Sequence, residues 1–467
     1  MKRLAGLLAT VALVAACTGS TPSGVSPSPT SGRFTGTVAG AKYLIEVPAN
    51  WNGTLLLYSH GYAAPGTPEN AADSGDDTTA GWLKSQGYAL AGTSYGKTGW
   101  ALEDAFKAQP ALLDEFARHL GKPRRVIAWG HSLGGIVTAG LVQLHPDRFA
   151  AALPMCGVLG GGIANWNGGL DEAFVAKILL DPGGSLQVVH VTDPGANLNA
   201  ARQLLVSAQA TSAGRARLAL VAAVGDVPGW SNPTKPEPDP TDFASIETNQ
   251  GEGLRTDFAY SFAYRAELES RAGGNPSWNT GVDYAALLTR SAYAAEVHAL
   301  YTTAGLSIDT DLAALAAAPR ITADPAAVDY LDRNITFNGR LGIPVLTLHT
   351  SADGLVVVPN EAAYADVVQA AGSAANLRQL YTHRAGHCVF TPAEQITAFK
   401  VLFARLATGT WDAVATPAQL NQQATDLGSS YNGGNLPGLG FYPAPPAFSA
   451  FDPPPFPRPF DSRSKRP

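Results

Sequence analysis

The chain has 467 residues, 45% of them hydrophobic and 15% charged, with a formal net charge of −6. That length exceeds one minimal core and falls short of three domains. The acidic balance argues against a nucleic-acid partner, which needs a basic face, and no apolar run of about twenty residues is present to form a transmembrane helix after processing.

Residues 1–17 read as a targeting leader: Lys2 and Arg3 supply a positive start, and residues 4–16 are apolar and small. The end of the leader, Leu13-Val14-Ala15-Ala16-Cys17, resembles a bacterial lipoprotein signal, which implies lipidation at Cys17. An ordinary secretory signal cut near Ala16 is the alternative. Residues 18–33, rich in Ser, Thr, Pro and Gly, cannot bury a core and read as a disordered tether. The expectation is an exported protein held to the membrane of the bacterial cell envelope by an N-terminal lipid, with plain secretion as the alternative. Export leaves Cys156 and Cys388 in an oxidising compartment, where a pair of cysteines often bridges. Both fall at the same edge of one predicted sheet, so a disulfide is expected, with two buried free thiols as the other reading.

Residues 34–159 form the first part of a predicted catalytic domain. Val38 and residues 41–48 alternate as an edge hairpin does, and Asn50-Trp51-Asn52-Gly53 is turn chemistry. Residues 54–58 are a continuous apolar run suited to a central parallel strand, ending in Ser59-His60-Gly61-Tyr62. Residues 70–80 read as a loop, 80–86 as a short helix, 88–95 as a strand and 101–120 as a helix. A strand at 126–129 runs into Gly130-His131-Ser132-Leu133-Gly134, and a helix follows to about Leu144, stopped by His145-Pro146-Asp147. A further strand covers 151–156. Strands alternating with helices predict a parallel sheet covered on both faces.

Residues 160–340 break this pattern. They are alanine-rich and mostly helical, as at 198–210 and 283–302, with breaks at 233–240 and 273–276. They read as a helical cap inserted into the catalytic domain, or as an independent helical domain. Residues 341–412 resume the sheet. An apolar run at 343–350 ends at Ser351-Ala352-Asp353-Gly354, and a helix covers 360–371. A short strand at 377–381 leads to Thr382-His383-Arg384-Ala385-Gly386-His387-Cys388. Thr391 and Glu394 form a capping box for a closing helix over 391–406. Residues 413–467 are a tail rich in Pro, Gly and aromatics. From Gly428 it tends to polyproline II, and its spaced Phe441, Tyr442, Phe448, Phe451, Phe456 and Phe460 are expected to hold it over the catalytic domain.

A serine hydroxyl is a weak nucleophile at neutral pH. It needs a base within hydrogen-bond reach, and that base needs a third group to fix its tautomer. Ser132 stands in the G-x-S-x-G setting of strand, sharp turn and helix, where side chains at Gly130 or Gly134 would collide with the neighbouring strand and helix. An idle serine in a glycine-rich turn is the bland alternative. Asp353 and His387 both follow predicted strands, in the chain order Ser, Asp, His. On these residues, residues 34–157 and 340–410 resemble the α/β-hydrolase superfamily of serine esterases. The resemblance implies an α/β fold, a mostly parallel sheet with a helical cap, and hydrolysis of a small-molecule or polymeric carboxylic ester through an acyl-enzyme. Ser132 is then the nucleophile, His387 the base and Asp353 the acid. His383, His349 and His131 are rival bases, and Asp329 and Asp332 rival acids.

Acyl transfer also needs donors for the oxyanion. The Leu133 N–H is one expectation. The other is the Tyr62 N–H, because His60-Gly61 resembles the family's His-Gly dipeptide; His60 itself is expected to brace the loop. Gly386-His387-Cys388 is similar to tannases and feruloyl esterases, where the cysteine beside the catalytic histidine is bonded to one beside the catalytic serine. Here His131 holds that second place, so the match is partial, and it implies a bridge bracing His387. No metal-site spacing and no dinucleotide fingerprint occurs, so neither metal nor cofactor is expected; Gly157-x-x-Gly160-Gly161-Gly162 reads as a flexible opening of the cap. Trp166, Trp230, Trp278 and the run Phe258-Ala259-Tyr260-Ser261-Phe262-Ala263-Tyr264 either line an acyl or aryl pocket or pack the cap's own core. Two readings from other classes stay open. One is a serine peptidase of the aminopeptidase kind, with Glu247, Glu252 or Glu267 binding an α-amine. The other is a non-catalytic binding lipoprotein, against which the intact Ser, Asp and His set argues.

Overall fold

A hairpin of Gly32–Val38 (β1) and Ala41–Val47 (β2) opens the structure, a computed structural model that describes residues 31–411, 416–436 and 440–465. The leader, Cys17 and the tether up to residue 30 lie outside the described residues. Ala39 and Gly40 both take positive φ (47° and 82°), as a two-residue turn that matches the strand twist requires. The strands that follow are Thr54–Ser59 (β3), Ala89–Thr93 (β4), Arg125–His131 (β5), Ala151–Met155 (β6), Val345–Ala352 (β7) and Leu377–Ala385 (β8). They form one sheet in the order β1-β2-β4-β3-β5-β6-β7-β8, with Phe448–Ser449 added antiparallel at the far edge. β2 meets β4 antiparallel, and every contact from β4 to β8 is parallel. This is the α/β-hydrolase fold.

The continuous apolar strands are explained by burial on both faces. In β3, Leu55 and Leu57 pack with the helices Leu102–Leu120 and Leu133–Leu144, while Leu56 and Tyr58 face Asp77–Ser85 and Pro392–Thr408. The first of those latter helices begins three residues earlier than its apolar pattern suggests, because the Asp76 side chain accepts from the Thr79 N–H and caps it. The predicted capping box of Thr391 and Glu394 is present. Glu394 also pairs with Arg384 at 2.5 Å and accepts from the Ala447 N–H at 2.9 Å, tying the end of β8 to the tail.

Between β6 and β7 the chain makes nine α-helices, from Gly162–Leu180 to Pro325–Arg333, around a core of their own that includes Phe174, Leu220, Phe258 and Phe262. The helix Phe243–Ala259 passes through a π turn at Tyr260–Tyr264 into Arg265–Ala272. At the far end, Glu267 accepts from the Trp100 N–H at 3.0 Å, and Arg271 bonds Asp104 and the Thr98 carbonyl. These bonds fasten the cap to the catalytic sheet.

The tail departs from a simple polyproline strap. A helix, Pro417–Thr425, precedes it, started by a capping box of Thr416 and Gln419 that the sequence reading passed over. After pairing with β8 the chain runs on toward the cap. Phe456 and Phe460 stay buried in the apolar cluster of the catalytic domain where it meets the cap, and Arg458 between them bonds Asp171 at 2.6 Å and the Trp278 carbonyl at 2.9 Å. Breaking a buried ion pair by removing one partner costs about 3–5 kcal/mol, because the other charge stays in the dry interior. Arg458→Ala is therefore expected to lower stability by about 3 kcal/mol in urea unfolding, and the double change Arg458→Met with Asp171→Leu to recover most of that loss. Equal losses in the single and double variants would show that the pair does not hold the tail to the cap.

Candidate active site

β5 ends at His131, and the helix Leu133–Leu144 starts two residues later. The whole turn is one residue, Ser132, at φ 58° and ψ −123°. A side chain at positive φ is strained and persists only where its surroundings over-determine it. Here the Ser132 N–H donates to the Met155 carbonyl at 3.0 Å, and the Ser132 carbonyl accepts from Gly135 at 2.8 Å. A Cβ on Gly130 or Gly134 would lie on the Ser59 carbonyl oxygen, so the ends of β3 and β5 and the helix meet backbone to backbone. Leu133 is the first helical residue, and its N–H has no acceptor within the helix.

Ser132 Oγ lies 2.8 Å from His387 Nε2, and His387 Nδ1 lies 2.7 Å from Asp353 Oδ2. All three groups come from loops at the carboxyl ends of parallel strands. The other Asp353 oxygen accepts from the Leu355 and Val356 N–H groups, both at 2.9 Å, which fixes the carboxylate plane. Burial pushes the Asp353 carboxyl up, but His387 and His349 outweigh it and hold the group below the usual carboxylate range.

The rival histidines are engaged elsewhere. His383 is half-exposed, 3.0 Å from Glu237 and 3.3 Å from Ser351 Oγ, with Trp230 against its ring. His131 lies between Tyr58 at 3.3 Å and Gln395 at 3.1 Å, and burial lowers it to about 4, so it is neutral at pH 7. His349 is buried within β7 behind Asp353. Asp329 and Asp332 lie on the helix Pro325–Arg333, while the acid at His387 is Asp353.

Cys156 and Cys388 form a disulfide, with Cα atoms 5.4 Å apart. Cys156 directly follows Met155, whose carbonyl holds the Ser132 N–H, and Cys388 directly follows His387. The bond thus joins the residue behind the serine turn to the residue behind the histidine. Among the described residues, Cys156, His387 and Cys388 bring three ligand-type atoms within 4.8 Å, but the two sulfurs are bonded to each other and offer no thiolate.

The loop after β3 brings Gly61 against Ser132, where a Cβ would come within 3.4 Å of the serine Cβ. His60 stacks on Tyr95 at 3.9 Å and bonds the Gly61 carbonyl at 2.7 Å, and the Tyr95 hydroxyl donates to the His60 carbonyl at 2.8 Å. Tyr62 follows, and its ring meets Tyr260 and Tyr264 of the π turn at 5.1 and 5.6 Å. Tyr62, Leu133 and Ser132 line one cavity of about 90 Å³, together with Trp100, Trp166 and Phe456. Of the cap aromatics singled out from sequence, Trp166 and Tyr260 reach this cavity. Phe258 and Phe262 pack the cap core, Trp230 covers His383, and Trp278 meets Phe460 of the tail.

Three acids that sequence reasoning missed also line the cavity: Asp171, paired with Arg458, and two without an arginine partner among the described residues. Glu172 and Asp257 are both buried, on different cap helices, and Asp257 Oδ2 has no hydrogen-bond partner among the described residues. Burial, then Asp171, raises Glu172 to about 8; burial, then Glu172 and Asp353, raises Asp257 well above the usual range. A Cβ on Gly225 would overlap the Glu172 carboxyl, so that glycine makes its room, yet nothing in the sequence ties residue 225 to residue 172. The anticipated acids sit elsewhere. Glu247 pairs with Arg215 at 2.6 Å, and Glu267 anchors the cap. Glu252 lines an outer cleft that also contains Gly386, His387 and Ser231.

Residues 83–161 match the model of the Prolyl oligopeptidase family. The chain is 29% identical over 413 residues to an o-phthalyl amidase of Xanthobacter agilis, covering 82% of this chain and 88% of that protein. Among solved structures it is similar to feruloyl esterase B of Aspergillus oryzae, with 16% identity, a TM-score of 0.40 and 81% of each chain covered. It is also similar to the acylaminoacyl peptidase of Pyrococcus horikoshii, with 10% identity, a TM-score of 0.37, and 82% of this chain and 42% of that one covered. The matched stretch 83–161 holds the whole serine turn, and the sheet delivers His387 and Asp353 to it. This chain is a serine hydrolase of the α/β-hydrolase fold.

Proposed function

We propose that the protein cleaves carboxylic esters of small acyl groups through a Ser132–His387–Asp353 triad. The observation that carries this reading is the unbroken hydrogen-bonded path from Asp353 to Ser132 Oγ, which lines a small cavity. His387 takes the Ser132 proton as Oγ attacks the acyl carbon, and the Asp353 carboxylate stabilises the imidazolium. The oxyanion forms in front of the Leu133 and Tyr62 N–H groups; such preorganised donors are typically worth about 2.7–4 kcal/mol each. The acyl group occupies the cavity. The alcohol leaves through the outer cleft, taking its proton from His387, and water then releases the acid by the same route in reverse. Ser132→Ala is expected to abolish fluorophosphonate labelling, and His387→Ala to lower kcat for p-nitrophenyl acetate by roughly 10⁴-fold or more. A cavity of about 90 Å³ favours acetate and butyrate over dodecanoate by at least ~10-fold in kcat/KM. Labelling that survives Ser132→Ala would falsify the triad, and a preference for dodecanoate would remove the small-acyl reading.

Cleavage of an amide is a second reading, favoured by the similarity to an o-phthalyl amidase and by Glu172 and Asp257. Those carboxyls suit the amine of an aminoacyl substrate once they ionise. Glu172, raised to about 8, is neutral below that pH and charged above it, so affinity for a cation rises as pH rises toward 8. On this reading KM for an aminoacyl anilide falls several-fold between pH 6 and 8, and Glu172→Gln flattens the trend. A flat KM in the unaltered protein would remove the amine reading.

Export and lipid anchoring at Cys17 belong to the same proposal, supported by the leader sequence and by a disulfide of the kind found in oxidising compartments. Cells fed an alkyne-tagged fatty acid are expected to label the full chain but not Cys17→Ser. Equal labelling of both would assign the lipid elsewhere.

A further inference from the structure

His349 lies behind the proposed triad, wholly buried in β7. Its Nδ1 lies 3.1 Å from Glu361 Oε1, and its Nε2 lies 2.8 Å from the Val356 carbonyl and 3.5 Å from Asp353 Oδ2. Every group facing the ring nitrogens is thus a carbonyl or a carboxylate. A neutral imidazole has one N–H and one lone pair, and a buried lone pair aimed at an acceptor is unfavourable; only the imidazolium donates from both nitrogens. Glu361 in turn accepts from Thr347 Oγ1 and Gln379 Nε2, both at 2.5 Å, which suits a carboxylate rather than an acid.

We infer that His349 is a standing imidazolium, clamped between Glu361 and Asp353, and that it is a positioning residue setting how strongly Asp353 pulls a proton onto His387. The inference rests on the triad reading. Burial alone would strip the proton from His349, but the hydrogen bonds and charges of Asp353 and Glu361 outweigh burial and raise the group to about 10. The titratable groups around this centre are Glu361 and Tyr364 on the helix Pro359–Ala370, Tyr381 on β8, Asp257 on the cap helix Phe243–Ala259, and Asp353 and His387 on the two loops. Along the line Glu361, His349, Asp353, His387 the first three charges alternate. A carboxylate already facing one cation attracts a second less strongly. His387 at rest therefore holds its proton less tightly than Asp353 alone would make it, and stays available as a base at lower pH.

Two measurements on the full chain test this. In the first, nitrogen-15 NMR of histidine-labelled protein at pH 8, assigned by the signals missing in His349→Gln, is expected to show both His349 nitrogens protonated. In the second, the acid limb of kcat/KM for p-nitrophenyl acetate is expected to move up by about one pH unit in His349→Gln. Glu361→Gln, which removes the counter-charge and replaces one accepting oxygen by an amide donor, moves it the same way, because His349 then gives up its second proton. Misfolding moves neither limb in a fixed direction, and fluorophosphonate labelling reports which variants are folded. A neutral His349 at pH 8, or an unmoved limb in both folded variants, overturns the inference. Failure of the triad reading shows itself separately, as labelling that survives Ser132→Ala while His349 remains doubly protonated.

Discussion

The site depends on a close approach of backbones. The ends of β3 and β5 and the first turn of the following helix come together where no Cβ fits, at Gly130 and Gly134. Ser132 is the residue left to make the turn, and it does so in a conformation that costs an ordinary residue about 1–3 kcal/mol. That cost is met by bonds outside the turn. The Met155 carbonyl on β6 takes the Ser132 N–H, so the sheet holds the serine in a geometry that the turn would not keep alone. The strain is also useful. It lifts Oγ off the sheet toward His387 and leaves the Leu133 N–H at an open helix end, where the helix dipole favours a developing anion.

The second constraint is that His387 arrives on a loop, and loops move. This one is tied from three sides. The disulfide links Cys388 to the residue after Met155, so the groups holding the serine and the histidine share one covalent strut. The Arg384–Glu394 pair locks the end of β8 to the helix behind it, and the same Glu394 caps that helix. Asp353 reaches His387 from β7, and its own position is set by two backbone N–H groups. Few degrees of freedom remain between Ser132 and His387, which is what a hydrogen bond of 2.8 Å in the unliganded protein requires.

The parts legible in the sequence are those set by local chemistry. The serine turn, the apolar parallel strands and the Thr391–Glu394 box are each written in a few adjacent residues. The ordering of Asp353 and His387 after the serine follows from where strands end. The pairing of Cys156 with Cys388 was readable because both follow strands at one sheet edge. What escaped was set by packing between distant segments. Glu172 and Asp257 look like ordinary helix residues, and their significance appears only when two cap helices turn them into one cavity. Of the acids chosen instead, Glu247 pairs with Arg215, 32 residues away, and Glu267 pairs with Arg271 on its own helix while accepting from the distant Trp100 N–H of the catalytic domain. The π turn at Tyr260–Tyr264 leaves no mark in composition, yet it brings two tyrosines onto Tyr62.

That division separates reaction type from substrate choice. The elements that bring Ser132, His387 and Asp353 together all belong to the sheet and its loops. The cavity wall comes from three separate sources: the loops of the catalytic domain with Tyr62 and Trp100, the cap with Trp166 and Tyr260, and the tail with Phe456 and Arg458. The cap and tail walls stand apart from the Ser132–His387 hydrogen bond, and each is held by its own anchor. The cap is fixed by Glu267 and Arg271, and the tail by the Arg458–Asp171 pair. A change of side chain in either of these two therefore alters the shape and charge that a substrate meets without disturbing the Ser132–His387 geometry. The tail adds to the cavity wall one aromatic ring, Phe456, and one cation, Arg458, whose charge is already matched by Asp171 of the cap.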